Sequence, residues 1–487
     1  MKLKDVIAGL PVLELRADPD TEITAVECDS RSVEPGSLFA AIPGFTADGH
    51  KFIPKAAERG CAAVLCQTPP EIGVPYVLVE DSRLCLALAA CNFYRHPSRE
   101  MKIIGVTGTN GKTTTTFLVK QLLEKCLGVK VGPVGSVVNM IGDEEFHAEH
   151  TTPESNDLQR LFRSMADAGC AYCVMEVSSH SLALHRVAGT GFAAGLFTNL
   201  TQDHLDFHGT MEEYAAAKAM LFPMCEKTAG NIDDPWFDTV MHGAPRPVYT
   251  FSAKSDRADL TARNIKLTHD QVSFCALEGS ELVRTSLHMP GEFSVYNALA
   301  ALACARMAGV PLKDAAAALP LCRGARGRVE SVPTDGDYSV YIDYAVTPDA
   351  VENILRTLRG VAPGRLVMLF GCGGDRDKSK RPIMGRIASE LSDYVIVTSD
   401  NPRTEDPEAI IADILPGLEQ GSTPYTVICD RIEAIRWAIE NHREGDLILL
   451  CGKGHEDYQI IGHEKIHMDE REIVADILRE RKERNDR

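Results

Sequence analysis

The chain has 487 residues, 44% of them hydrophobic and 25% charged, with 51 Lys and Arg against 69 Asp and Glu for a formal charge of −18. That length exceeds one hydrophobic core and predicts about three domains, and the acidic balance disfavours nucleic acid as a partner, because a duplex wants a basic face. No apolar run is long enough to span a bilayer and no charged-then-apolar leader opens the chain, so a soluble protein of the cytoplasm is expected.

Residues 1 to 99 read as a first unit of short strands and helices, with polar turn-like stretches at Cys28-D-S-Arg31 and Pro43-G-F-T-A-D-G-His50. The polar, Pro-containing segment Tyr94-R-H-P-S-R-Glu100 marks a boundary. From 100 to 330 strand and helix patterns alternate, which predicts a largely parallel sheet. This second unit opens with a buried strand, Met101 to Val106, followed by the loop Gly108-Thr109-Asn110-Gly111, then Lys112 and a Thr run that starts a helix. Glycines let backbone N–H groups converge on phosphate oxygens; the helix N-terminus and Lys112 add positive charge, and Thr113 or Thr114 can hold Mg²⁺. The general phosphate-loop pattern would need glycine at position 106, where this chain has Val106. The loop is therefore a tightened variant that still predicts binding of a nucleoside triphosphate.

Further along, Cys170-x-x-Cys173 leads into an apolar strand and reads as packing rather than as a metal or redox pair, in line with Cys66, Cys304 and Cys451, which also sit in apolar runs. The strand ends at Glu176, before Val177-S-S-His180, where a carboxylate beside a phosphate loop commonly binds Mg²⁺. The cluster Thr198-N-L-T-Q-D-H-L-D-F-His208 has no zinc spacing; it fits oxygen ligation of Mg²⁺ with help from His204, or a helix cap at Thr201 or Asp203. Lys218, in the alanine-rich stretch Tyr214 to Phe222, reads on composition as a surface helix lysine. A sheet-like stretch follows from Val248 to Met289, then a helix from Val295 to Met307. A third unit starts near Val332. In it, strands beginning at Val367, Tyr394 and Asp446 each end in a polar loop, where open α/β sheets bind ligands.

Taken together, Thr107-G-T-N-G-K-T-Thr114, His150-Thr-Thr-Pro153, Glu176-V-S-S-H-S-Leu182, Thr198 to Gly209, Gly291-E-F-S-V-Y-Asn297, Gly327-R-V-Glu330, Asp343-Y-A-V-T-P-Asp349 and Gly452-K-G-H-Glu456 resemble the ATP-dependent Mur ligases over nearly the whole chain. Within that family the closest pattern is the branch that adds the third residue of the peptidoglycan stem peptide. The resemblance implies an α/β fold of three domains: an N-terminal uridine-nucleotide domain (1–99), a central P-loop ATPase domain with a mostly parallel sheet (100–330), and a C-terminal Rossmann-like domain for the amino acid (331–487). It implies ATP, Mg²⁺ and a CO₂-derived carbamate on Lys218 as cofactors, small-molecule substrates and a monomer.

By the same resemblance, Lys112, Glu176, His204 and Lys218 form the catalytic set. Gly108, Thr109, Asn110, Gly111, Lys112, Thr113, Thr114, Asn297, Arg328 and Asp343 match ATP contacts. Thr113, Glu176, His204 and carbamylated Lys218 match metal ligands; carbamylation turns a cation that would repel Mg²⁺ into an anion. Ser30, Phe45 and Thr46 match the uridine site, and Thr151, Thr152, Ser178 and Arg186 the muramoyl-dipeptide site. Arg376, Asp400, Asn401, Pro402, Arg403, Gly452 and Glu456 match contacts to meso-diaminopimelate. Asp400-Asn-Pro-Arg403 points to diaminopimelate rather than lysine, because Arg403 can clamp a second carboxylate that lysine lacks. A plain turn at Asn401-Pro402 is compatible with that role.

Three positions depart from the family pattern. Val346 stands where relatives usually have His near the triphosphate, and loss of one such donor can cost on the order of 10² to 10³ in rate. Leu184 replaces a frequent Gln at the muramoyl-peptide, and Ser294 a common Asn. They leave open a related ligase with another acceptor or amino acid, or a weakly active nucleotide-binding paralogue.

Overall fold

The apolar runs bounded by polar turns fold into strands, and the amphipathic segments between them into helices that cover the sheets. The computed structural model of the protein describes residues 1–44, 47–146, 148 and 150–485. Two compact units result, one of Met1–Thr261 with Leu299–Ala318 and one of Ala262–Ala298 with Leu319–Arg487.

The first unit holds two main sheets beside a small antiparallel hairpin, Asn139–Ile141 with Glu144–Phe146. The smaller has the order Val12–Arg16, Tyr76–Val79, Ala63–Cys66, Leu38–Ala40, Val26–Glu27, with only the Val12–Arg16 edge antiparallel. The larger is parallel, running from Leu260–Leu267 through Val248–Ser252, Cys225–Asn231, Phe192–Phe197, Lys102–Thr107 and Tyr172–Glu176 to Val131–Val134. The strand expected at 101–106 is thus Lys102–Thr107, in mid-sheet and buried from Ile103 on. The two sheets are linked through helix Ser155–Asp167, whose Arg160 pairs with Glu27 at 2.7 Å and whose Asn156 accepts a bond from Cys28 Sγ at 3.4 Å. Cys170 and Cys173 are both buried free thiols.

In the second unit the stretch from 272 to 287 is an antiparallel hairpin, Val272–Glu278 with Glu281–Leu287. The unit's main sheet has the order Glu330–Val332, Ser339–Asp343, Leu447–Cys451, Leu366–Phe370, Tyr394–Val397, Tyr425–Val427, parallel except at its first pair. Successive side chains of a strand point to opposite faces. Leu447, Leu449, Leu366, Met368 and Phe370 accordingly pack against helices Pro348–Arg359, Lys380–Leu391 and Pro407–Leu418. Ile448, Leu450, Val367 and Leu369 pack against Arg431–Glu440 and Glu470–Asn485 on the other face. Cover on both faces explains why these strands read as unbroken apolar runs. It also leaves the carboxyl ends of three adjacent central strands as the place where polar loops gather. Among the described residues no helix is long and apolar enough to cross a membrane.

Candidate active site

In the first unit the site grows from the strand Lys102–Thr107. Its register sets Val106 beside Glu176 and Thr107 beside Phe197, so the phosphate loop, the carboxylate and the segment after Phe197 emerge together at the carboxyl ends of three adjacent strands. The loop is fixed by that segment. Asn199 accepts from the Thr109 N–H at its carbonyl (2.8 Å) and from the Asn110 N–H at its side chain (2.9 Å), and Thr198 Oγ1 donates to the Asn110 carbonyl at 2.8 Å. A side chain at Gly108 would bring its Cβ to 1.9 Å from Thr198 Oγ1, at a backbone φ of +148°, so only glycine fits. Helix Lys112–Leu127 begins at once, with Lys112 Nζ donating to the carbonyls of Gly108 (2.9 Å) and Thr109 (2.8 Å).

Glu176 is 1% exposed. It accepts from Thr113 Oγ1 (3.0 Å), the Ser136 N–H (2.8 Å) and Ser136 Oγ (3.2 Å), and no Lys or Arg pairs with it among the described residues. A buried carboxylate held only by neutral donors is suited to a cation brought by the ligand.

Lys218 corrects the surface reading. In helix Met211–Ala219 it is 1% exposed, donates to the Gly108 carbonyl at 2.8 Å and lies 4.5 Å from the Tyr214 ring centroid. Burial, reinforced by the charge of Lys112, pushes its pKa well below the ordinary lysine value. The helical pattern around it is nearly all alanine, so periodicity gave no sign of which face is buried. His204 sits in left-handed backbone at φ 54°, with its ring 4.7 Å from that of His180, and burial lowers its pKa. The His180 pKa falls to about 4 through burial and the neighbouring His204 and His208. The expected helix cap is not formed. His204 occupies the cap of helix Leu205–His208 without a side-chain bond, Asp203 accepts from the His204 N–H and faces the His204 ring with Nε2 at 3.4 Å, and Thr201 instead accepts from Thr109 Oγ1 at its carbonyl.

Thr151, Thr152, Ser178 and Arg186 are joined by hydrogen bonds around the end of the Glu176 strand, through Ser136 and the Glu176 main chain rather than through its carboxylate. Thr151 Oγ1 lies 3.0 Å from Ser136 Oγ; Thr152 Oγ1 donates to the Glu176 carbonyl (2.8 Å) and accepts from the Ser178 N–H (3.2 Å). Arg186 donates to the Thr152 carbonyl at 3.0 Å and pairs with Glu154 at 2.6 Å. Ser30 is buried in the first unit; Phe45 and Thr46 lie outside the described residues. Ser136 lies in no motif of the sequence analysis; Asn199 falls inside the Thr198–Gly209 motif, without a role of its own there.

The second unit has its own cavity, of about 140 Å³, at the carboxyl ends of its central strands. Tyr344, Val346, Gly373, Arg376, Lys380, Asp400, Asn401, Arg403, Gly452 and Glu456 line it. Six of the seven expected amino-acid contacts therefore come together. The seventh, Pro402, makes the turn between Asn401 and Arg403, its carbonyl accepting from the Glu405 N–H at 3.1 Å. Three cations face two carboxylates there. Arg403 stands in left-handed backbone at φ 52° and spends one donor on the Gly374 carbonyl at 2.9 Å. Val346 lines this cavity too, and its carbonyl accepts from Lys380 Nζ at 2.8 Å, so an ammonium lies beside this position. Lys380 and the buried Lys453 were missed from sequence, although Lys453 falls inside a quoted motif.

Asp343, Arg328 and Asn297 also belong to the second unit. Asp343 ends its strand, accepts from the N–H groups of Val329 (2.8 Å) and Ala345 (2.9 Å), and has its pKa raised by burial against the opposing charge of Arg328. The Arg328 guanidinium lies 5.4 Å from the Tyr344 ring centroid, and Asn297 is buried on helix Glu292–Met307.

Comparison with known proteins agrees with this architecture. Residues 22–94 match the model of the Mur ligase family catalytic domain, 106–305 the Mur ligase middle domain, and 327–454 the Mur ligase glutamate ligase domain. A relative from Caldanaerobacter subterraneus subsp. tengcongensis, named UDP-N-acetylmuramoyl-L-alanyl-D-glutamate–2,6-diaminopimelate ligase, is 47% identical over 485 residues, covering 99% of each chain. One of the same name from Clostridioides difficile is 45% identical over 483 residues, covering 98% of this chain and 99% of its own. A solved structure of an enzyme of that name superposes with a TM-score of 0.72 at 30% identity, covering 99% of each chain. The chain belongs to the Mur ligase family and has its three-domain α/β fold with mostly parallel sheets.

Proposed function

We propose that the protein is an ATP-dependent amide ligase that joins meso-diaminopimelate to the γ-carboxylate of D-Glu in UDP-MurNAc-L-Ala-D-Glu, a step of peptidoglycan precursor synthesis. The observation that carries this reading is the second unit's cavity, where Arg376, Lys380 and Arg403 oppose Asp400 and Glu456. A molecule with two carboxylates and two ammonium groups complements such a set; lysine would leave a guanidinium without its partner. The domain boundaries at 99/100 and 330/331 belong to the same reading, as does a monomeric enzyme working in the cytoplasm.

In the reaction a γ-carboxylate oxygen attacks the ATP γ-phosphorus and ADP leaves, giving an acyl phosphate. The amine of diaminopimelate then attacks the acyl carbon, phosphate leaves and the amide nitrogen loses a proton. Lys112 and the N–H groups of Gly111 to Thr114 neutralise phosphate charge. Thr113 and Glu176 would hold Mg²⁺, with Glu176, His204 and carbamylated Lys218 at a second position; the metal supplies charge neutralisation at the transferring phosphoryl group. The neutral-donor shell of Glu176 supports this. Burial, reinforced by Lys112, pushes the Lys218 pKa well below the ordinary lysine value, a shift toward the neutral amine that reacts with CO₂. Asn297, Arg328 and Asp343 serve the ATP base, phosphates and ribose. Ser30 with Phe45 and Thr46 serves the uridine, and Thr151, Thr152, Ser178 and Arg186 serve the muramoyl-dipeptide.

Phosphate release from ATP with UDP-MurNAc-L-Ala-D-Glu in bicarbonate buffer tests the reading, with meso-diaminopimelate compared against L-lysine. Release with diaminopimelate alone is expected. Release with neither amino acid, in protein that still binds ATP, would favour the weakly active paralogue.

A further inference from the structure

Lys453 follows the strand Leu447–Cys451, and its side chain is wholly withdrawn from solvent. An ammonium taken out of water must be matched by acceptors. Its Nζ donates to Asn401 Oδ1 at 2.5 Å, to the Tyr458 carbonyl at 2.6 Å and to Glu456 Oε2 at 3.3 Å, with Asp400 Oδ1 at 3.4 Å. Those acceptors come from the loop after Tyr394–Val397, from the loop of Lys453 itself, and from the hairpin Tyr458–Ile461 with Glu464–His467.

The consequences reach the cavity by two routes. The Asn401 amide is locked in one orientation, because Oδ1 accepts from Lys453 and from the Ile460 N–H (2.9 Å) while Nδ2 donates to Glu456 Oε2 (2.8 Å). Glu456 Oε2 is thereby occupied by Lys453 and Asn401. The hairpin that Lys453 grips also holds Arg403: the Arg403 N–H donates to the Ile460 carbonyl at 3.0 Å and the Gly462 N–H to the Arg403 carbonyl at 2.7 Å. Those two bonds brace a left-handed backbone that residues with side chains rarely adopt.

We propose that Lys453 is a positioning residue for amino-acid selection, holding Asn401, Glu456 and the hairpin that braces Arg403. This rests on the ligase reading above. Lys453 itself does not line the cavity; it fixes the groups that do, and small displacements of such groups are costly in catalysis and binding.

The test is Lys453→Met, which keeps most of the length of the side chain and removes charge and donors, measured beside the wild-type enzyme. The KM for meso-diaminopimelate is expected to rise about 10- to 100-fold, with the KM values for ATP and the UDP-linked substrate within about threefold of wild type and the preference over L-lysine narrowed. Lys453→Gln, uncharged but still a donor, serves the same comparison if the methionine variant does not fold. An unchanged KM for diaminopimelate, a uniform loss across all substrates, or failure of both variants to fold would each overturn the proposal. A wild-type enzyme inactive with every amino acid would overturn the ligase reading and this inference with it, whereas an active wild type with an unchanged variant would overturn the inference alone.

Discussion

Replacing Arg403 by methionine asks whether the second carboxylate of the substrate is read by this guanidinium. One of its donors is held by the Gly374 carbonyl at 2.9 Å, and the rest of the fork faces the cavity shared with Arg376, Lys380, Asp400 and Glu456. Methionine meets the same left-handed backbone at φ 52°, so the substitution removes the donors with little added backbone strain. Hydrogen bonds to charged groups contribute about 1.5–3 kcal/mol, and for a half-buried pair about 3 kcal/mol in total is a reasonable loss. At 1.36 kcal/mol per decade this is about 10²-fold in kcat/KM for meso-diaminopimelate. L-Lysine has no carboxylate there, so its kcat/KM should hold or rise as the penalty for an unpartnered guanidinium disappears. Phosphate release with ATP and the UDP-linked substrate saturating reads both numbers. If Arg403→Met kept diaminopimelate within about threefold of wild type, or lost both amino acids equally, the carboxylate-clamp reasoning would be refuted.

Lys218→Met should lower turnover by about 10³ or more, and isotope-labelled bicarbonate should give a carbamate resonance in the wild type that this variant lacks. Val346→His should change kcat by less than about threefold, because Lys380 already places an ammonium beside that position, whereas Lys380→Met should slow turnover about tenfold or more; a large gain from Val346→His would identify an impaired enzyme. His455 is held near pKa 4 by burial and by Arg328, Arg471 and Arg326. Its folded pKa lies below the unfolded value, so the unfolded chain binds the proton first; stability from this group is whole above about pH 6.5 and is lost as pH falls toward 4. Urea titrations should show a decline of about 1–2 kcal/mol across that window, discounted for partial solvent access, and His455→Phe should flatten it.

Much of the architecture was legible in the sequence because it depends on local pattern. Unbroken apolar runs at 366–370, 394–397 and 447–451 became adjacent central strands, and the glycine loop before Lys112 became the turn from strand to helix. Residue chemistry likewise pointed to Glu176 at a strand end, whereas Arg403 and Glu456, in loops at strand carboxyl ends, were marked out by the family resemblance. The burial of Lys218 was not legible. Its acceptor is the Gly108 carbonyl, 110 residues away, and an alanine helix gives no hydrophobic face by which to orient it. The roles of Ser136 and of Asn199, the latter inside the Thr198–Gly209 motif, were unreadable for the same reason: their partners Glu176 and Asn110 meet them only once the parallel strands are in register. Lys453 stood in plain view inside a motif, but its withdrawal from water and its grip on Asn401, Glu456 and Tyr458 exist only when two strand ends and a hairpin close around it. Sequence determined which chemical groups the protein owns and which local elements carry them. Tertiary structure decided which charges lose their water and which partners replace it, because desolvation and hydrogen-bond geometry depend on groups far apart along the chain.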